Sequence, residues 1–237
     1  MAGKVYLIGA GPGAADLITV RGARLLAQAE VVLYDALVTP EMLALCAQAE
    51  LISVGKRSGQ RSTAQDAING LLVDCAFKYR MVVRLKGGDP MLFGRADEEL
   101  RALEAEGIDV EIVPGITTAV AAAAAAKQPL TKRGVARSVA FFTSSTAPDQ
   151  PEHPALPHTD TMIQYMGGRE AAATAERLLA QGRSADTPVV VVENCSRADE
   201  RIARLTLTDL ARGLDAAQGP VLVMIGEALR LREHQVR

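Results

Sequence analysis

The chain has 237 residues, 49% of them apolar, and its 26 Lys and Arg against 28 Asp and Glu give a formal charge of −2. That length allows one large domain or two modest ones with real cores, and the near-neutral balance excludes a general nucleic-acid binder, which needs a basic excess. No apolar run reaches the about 20 residues of a membrane span, and Met1-Ala2-Gly3-Lys4 leads straight into an apolar segment without a secretory leader, so the chain reads as cytoplasmic with no membrane partner.

Strand and helix signals alternate along the chain. Val5 to Ile8 is a short apolar run ending in a glycine cluster, Gly9 to Gly13, and a helical pattern follows through Leu17, Val20, Ala23 and Leu26. Val31 to Tyr34 is the next strand, closed by Asp35, and Leu51 to Val54 a third, before a basic polar loop from Gly55 to Thr63. Ala64, Ile68, Leu71, Leu72 and Cys75 fall on one helical face, with Thr63 and Asp66 spaced as a capping box. Met81 to Leu85 is a strand of buried type leading into Gly87-Gly88-Asp89-Pro90, and a charged helix runs from about Asp97 to Glu106. Val110 to Val113 is a strand stopped by Pro114-Gly115. The run Ala119–Ala126 is a helix of the best helix former.

Pro148, Pro151, Pro154 and Pro157 mark an exposed extended loop between Ser144 and Thr159. Beyond it come a strand at Met162 to Tyr165, a helix at Arg169 to Gln181, a strand at Val189 to Val192, a weaker one at Ile202 to Leu207 and a last one at Val221 to Ile225. The βαβα order of the first half implies a largely parallel sheet. The expected fold is therefore α/β in two domains, 1–134 with a largely parallel sheet and both glycine loops, and 135–237 with a smaller mixed sheet, the switch lying between Pro129 and Ser138. Scarce aromatics and no Trp mean a core of Val, Leu, Ile and Ala, which suits helix-covered parallel strands. Cys46, Cys75 and Cys195 form no paired spacing, and His153, His158 and His234 are scattered, so no disulfide framework, metal site or Ser-His-Asp triad is expected.

Gly9-Ala10-Gly11-Pro12-Gly13-Ala14 follows a strand and satisfies G-x-G-x-x-[GA], with Asp35 at the end of the second strand where a ribose-binding acid would stand. Pro12 counts against a dinucleotide, because it removes an N–H where a pyrophosphate seeks donors. Three readings stay open for this loop alone: a dinucleotide site, a site for another ligand, or a tight strand-to-helix turn. Gly87-Gly88-Asp89-Pro90 is a second glycine loop at a strand's C-terminal end, the edge where open α/β sheets bind ligands. Two such loops suit S-adenosylmethionine, which offers an ammonium, a carboxylate, a ribose diol and an adenine but no phosphate; Asp89 could accept from its ammonium or a hydroxyl.

The sequence resembles the tetrapyrrole methylase family. The collinear segments VYLIGAGPGAADLITVRGARLLAQAEVVLYDALV, VGKRSGQRSTAQDAINGLLV, VVRLKGGDPMLFGRADEE, VEIVPGITTAVAAAAA, QPLTKRGVARSV, YMGG, GRSADTPVVVVEN and GPVLVMIGEAL carry the resemblance over almost the whole chain. The forms YDALV, VGKR and LKGGDP look most like the branch acting on uroporphyrinogen III. The resemblance implies a homodimer of two-domain subunits with S-adenosylmethionine in the cleft between domains and S-adenosylhomocysteine as product. It implies methylation of uroporphyrinogen III at C2 and C7 to precorrin-2, on the way to sirohaem, cobalamin or haem d1. It places cofactor contacts on Pro12, Gly87, Gly88, Asp89, Leu92, Thr117, Thr118, Met166, Cys195 and Val221. Asp35 is the implied proton acceptor and Lys56 the donor, Arg95 with Glu98 is the competing pair for substrate activation, and Arg133 and Arg57 hold acceptor carboxylates, a task suited to bidentate Arg.

The chain departs from the family pattern at Lys132 and Gly134 in the segment usually PLTHRD, at Ser144-Ser145 in place of Gly-His, at Ala96-Asp97 in place of Gly-Gly, and at Cys195 in place of Gly or Ala. These departures leave another precorrin or corrinoid intermediate as an alternative acceptor. An NAD(P)-dependent oxidoreductase and a non-catalytic cofactor-binding protein are the alternatives from other classes.

Overall fold

A computed structural model describes residues 2–55, 65–145, 154–215 and 217–231. The chain divides into two compact units, Met1–Thr118 and Ala119–Arg237.

The first unit is built on five strands: β1 (Lys4–Gly9), β2 (Val31–Tyr34), β3 (Glu50–Ser53), β4 (Met81–Lys86) and β5 (Val110–Val113). All neighbours pair in parallel, in the order β3-β2-β4-β1-β5. Both faces are covered, which is why the central strands read as near-continuous apolar runs. On one face Val5, Leu7, Val31, Leu33 and Val82 pack with α3 (Gln65–Lys78) and α4 (Ala96–Ala105). On the other, Ile8, Val32, Val83 and Leu85 pack with Leu26 of α1 (Val20–Leu26) and Met42 of α2 (Pro40–Leu43). Where the glycine pattern predicts a helix directly after the first loop, the chain instead makes a single 3-10 turn, Ala15–Leu17, and α1 starts only after Thr19, whose hydroxyl accepts from Gly22 N at 3.1 Å. The expected Thr63 capping box lies outside the described residues.

All of α5 (Thr118–Ala125), the alanine helix, except its first residue belongs to the second unit. Its strands are β6 (Val139–Thr143), β7 (Thr161–Tyr165), β8 (Pro188–Glu193), β9 (Arg201–Thr206) and β10 (Val221–Ile225), in the order β6-β7-β10-β8-β9. Only β6 and β7 are parallel; β10 runs antiparallel to β7 and β8, and β8 to β9. The sheet is mixed, as its sequence implied, and β6 brings it to five strands. Alanine lets α5 lie close against Ile163, Val190, Val192 and Leu222, while α6 (Gly167–Ala180) and α7 (Leu207–Ala211) cover the opposite face. Thr206 and Asp209 form a reciprocal capping box at the start of α7.

Candidate functional site

In the first unit, three loops meet at the C-terminal edge of β4, β1 and β5. Gly11 and Gly88 exchange backbone hydrogen bonds, Gly11 N to Gly88 O at 3.1 Å and Gly88 N to Gly11 O at 2.7 Å. Asp89 then reaches to the third loop: its Oδ2 accepts from Gly115 N at 2.9 Å and its Oδ1 from Met91 N at 2.9 Å. The approach is too close for side chains. A Cβ on Gly115 would stand 2.2 Å from Gly88 O, and one on Gly9 would stand 2.5 Å from Gly115 Cα. On the far side Gly88, at φ +69°, faces open space. Ala10 N donates to Lys86 O at 2.7 Å and completes the stitching.

Asp35 ties the end of β2 into this junction. Its Oδ2 accepts from Gly87 N at 3.1 Å and its Oδ1 from Leu37 N at 2.9 Å. Arg95 and Glu98, the pair implied by the resemblance, also come together: Arg95 Nε and Nη2 donate to the two carboxylate oxygens, each at 2.7 Å. Arg95 begins α4 in the left-handed conformation (φ 54°, ψ 29°), and its side chain remains 59% exposed. The Glu98 carboxylate beside it, only partly offset by burial, holds the guanidinium's pKa above its usual value. Lys56 and Arg57 lie outside the described residues.

This arrangement bears on the dinucleotide alternative. The amides of Ala10, Gly11, Gly87, Gly88 and Gly115 are all committed to backbone carbonyls or carboxylates within the junction. Pro12 has none to give, and no helix N-terminus follows the loop directly. A pyrophosphate cradle needs those donors and that helix end. A ligand without phosphate does not. The glycine junction, the Asp35 and Asp89 carboxylates and the open face at Gly88 thus fit the ammonium and the diol of S-adenosylmethionine, which donate, better than a nucleotide phosphate.

In the second unit, Met166 begins α6 in a left-handed conformation (φ 56°, ψ 32°) and is 52% exposed. Next to it, the Tyr165 hydroxyl accepts from Ala119 N at 3.1 Å, and its ring packs edge-on against Phe141. Cys195 is buried in the turn after β8, between the left-handed residues Asn194 and Ser196. Burial, aided by the Glu200 carboxylate, pushes its thiol up to about 12, which disfavours the nucleophilic thiolate. Val221, also buried, starts β10. Arg133 sits exposed in a turn closed by the Lys132–Ala136 bridge.

Several departures from the family pattern have local structural roles. Gly134 takes φ +75° in that turn, a backbone that Gly and Asp both tolerate. Ser144 Oγ lies 3.0 Å from Thr174 Oγ1 and accepts from Gln164 Nε2 at 3.1 Å, forming a polar knot between β7 and α6. Ala96 packs into the core, and exposed Asp97 pairs with Arg101 at 2.9 Å.

Three charged residues beside the junction do not stand out in the sequence. Arg84 and Lys86, on β4, are 5% and 3% exposed, and both are held by Glu99 of α4, which is 0% exposed. Arg84 Nε donates to Glu99 Oε1 at 2.9 Å and Lys86 Nζ to Oε2 at 2.7 Å. The available signal is two cations at alternate positions of an otherwise apolar central strand, where a charge requires a buried partner.

Residues 4–211 match the family model for tetrapyrrole (corrin/porphyrin) methylases. A uroporphyrinogen-III C-methyltransferase of Pseudomonas aeruginosa is 45% identical over 234 residues, 97% of this chain and 96% of that protein. Siroheme synthase 1 of Yersinia pseudotuberculosis is 46% identical over 238 residues, 99% of this chain but 50% of the relative; the chain spans about half the length of the siroheme synthases it matches. Among solved structures, the uroporphyrin-III C-methyl transferase of Thermus thermophilus complexed with S-adenosylhomocysteine superposes with a TM-score of 0.84 at 37% identity, covering 96% of this chain and 94% of that one. Matched over most of its length in sequence and in fold, the chain belongs to the tetrapyrrole methylase family.

Proposed function

We propose that this chain methylates uroporphyrinogen III at C2 and C7 with S-adenosylmethionine, giving precorrin-2 for the sirohaem, cobalamin or haem d1 branch. The observation that carries the reading is the glycine junction, which uses its own amides internally and leaves a phosphate-free ligand as the fitting occupant. Family membership and the similarity to enzymes named for this methylation supply the substrate class. The bound donor contributes a methyl group on a positively charged sulfur.

In this reading Pro12, Gly87, Gly88, Asp89, Leu92, Thr117 and Thr118 contact the donor, with Met166, Cys195 and Val221 as further contacts. Arg95 spends two of its N–H donors on Glu98 and offers the rest to an acceptor carboxylate. Arg133, Arg57 and Lys56 add positive charge for an acceptor rich in carboxylates. Asp35, fixed by two backbone amides, takes the proton that leaves the methylated ring system; Arg95 with Glu98 is the competing pair for activation. Holding two reactants in register accounts for much of the acceleration. The chain acts as a homodimer in the cytoplasm. Among the described residues, no helix is long and apolar enough to cross a membrane.

Mass spectrometry of the products formed from uroporphyrinogen III and S-adenosylmethionine tests the reading: two added methyl groups are expected, and a folded protein giving none refutes it. Arg95→Ala is expected to lower kcat/KM for the acceptor by about a hundred-fold or more while S-adenosylhomocysteine affinity holds within about three-fold. Equal loss of both would remove Arg95 from the acceptor side.

A further inference from the structure

The Arg84–Glu99–Lys86 cluster carries one excess positive charge in the interior of the first unit: two cations meet one carboxylate. Burying charges is costly even when they are paired, and apolar residues of similar volume commonly serve stability as well or better. The neighbours of these cations along β4, Val82, Val83 and Leu85, are buried and apolar. Stability alone therefore does not explain the cluster, and its position is informative.

Lys86 is the last residue of β4 and leads directly into Gly87-Gly88. A Cβ on Gly94 would stand 3.1 Å from Lys86 Cε, so the turn before α4 closes over the lysine stem. Glu99 lies in the first turn and a half of α4, next to Glu98, the partner of Arg95. Two hydrogen bonds to Glu99, from Lys86 and from Arg84, thus tie the strand that carries the glycine loop to the helix that Arg95 and Glu98 begin, and that of Lys86 is the one next to the loop. The Asp35 carboxylate, bonded to Gly87 N, supplies the second negative charge that acts on the ammonium.

We infer that Lys86 is a positioning residue of the proposed methyl-transfer site, braced by Arg84 and Glu99, that holds the Gly87-Gly88 loop and the start of α4 in register for donor and acceptor. The inference rests on the reading of the chain as a methyltransferase. Burial, reinforced by the neighbouring Arg84, lowers the ammonium's pKa, while Glu99 and Asp35 oppose the shift. Glu99, hydrogen-bonded to the ammonium, and the Asp35 carboxylate, acting at longer range, both favour its charged form.

The test compares the full chain with Lys86→Met, which leaves a neutral Arg84–Glu99 pair, and with the triple variant Arg84→Met, Lys86→Met, Glu99→Leu, which replaces the cluster by apolar volume. The triple variant is expected to melt at or above the parent temperature. S-adenosylhomocysteine affinity, by calorimetry, is expected to fall about ten-fold or more in each folded variant, and kcat with uroporphyrinogen III to fall by a similar factor. A folded variant that loses less than that in affinity overturns the inference, because a merely structural cluster would alter melting and leave the affinity of the folded protein alone. Parent protein that binds S-adenosylhomocysteine but does not methylate uroporphyrinogen III refutes the functional reading only; the positioning role is then decided by the affinities. Parent protein that binds none overturns both.

Discussion

Replacing Asp89 by asparagine keeps the side chain's shape while removing its charge and turning one oxygen into an NH2 group. In the structure both oxygens accept from backbone amides, Met91 N and Gly115 N, each at 2.9 Å. Asparagine has one acceptor oxygen, so one amide must face another donor. A hydrogen bond to a charged group contributes roughly 1.5–3 kcal/mol. Since Asp89 is only partly buried, water replaces some of the loss, and a net cost of about 2 kcal/mol is expected. For a chain of this size that corresponds to a fall in Tm of roughly 4–8 °C. If the junction must be re-formed for the donor to bind, S-adenosylhomocysteine affinity falls by up to about thirty-fold, the equivalent of the same 2 kcal/mol. Differential scanning calorimetry and isothermal titration measure the two effects separately. A Tm within about 1 °C of the parent, together with unchanged affinity, would refute the view that Asp89 fastens the third loop to the second.

Two further perturbations address the second unit. Thr206→Ala removes the capping hydroxyl of α7 and should cost about 1 kcal/mol, with Thr206→Ser recovering most of it in a denaturant titration. Asp160 is held below the usual carboxylate range by the Arg137 amide first, then by the hydroxyl and the amide of Ser138. A depressed folded pKa stabilises the protein above the unfolded value, and the benefit fades as pH falls through the folded one. Asp160→Asn should therefore melt below the parent at about pH 7, and the gap should close below about pH 4. A gap that stays constant over that range would show that the charge on Asp160 is immaterial.

The central strands were legible because burial on both faces leaves an apolar run that few other structures produce. β6 was not: Val139 to Thr143 follows a basic turn, and its residues are half-buried or exposed, so neither alternation nor a continuous apolar run marks it. The Gly9–Gly13 pattern correctly located a loop at the sheet edge, yet its match to a dinucleotide fingerprint said nothing about where the amides go. That depends on Gly88 and Asp89, which only the strand order brings alongside. Gly115 reads in sequence as the stop of a strand; its close approach to Gly9 and Gly88 follows from β1 lying between β4 and β5. Arg95 with Glu98 was legible only through the resemblance to the family, and the structure brings the two into a bidentate pair. Arg84, Lys86 and Glu99 were not legible, because their partnership spans two elements and their burial is a property of the folded unit.

Arg95 and Met166 each begin a helix, one in either unit, with a left-handed backbone and no side-chain cap. For a residue other than glycine that conformation carries a strain of roughly 1–2 kcal/mol. Glycine would relieve it at both places, although at Arg95 the loss of the Glu98 pair offsets part of the gain. Each helix start is thus a point where backbone strain and the proposed chemistry pull in opposite directions, and selection for thermal resistance alone would press on the proposed site at these two residues.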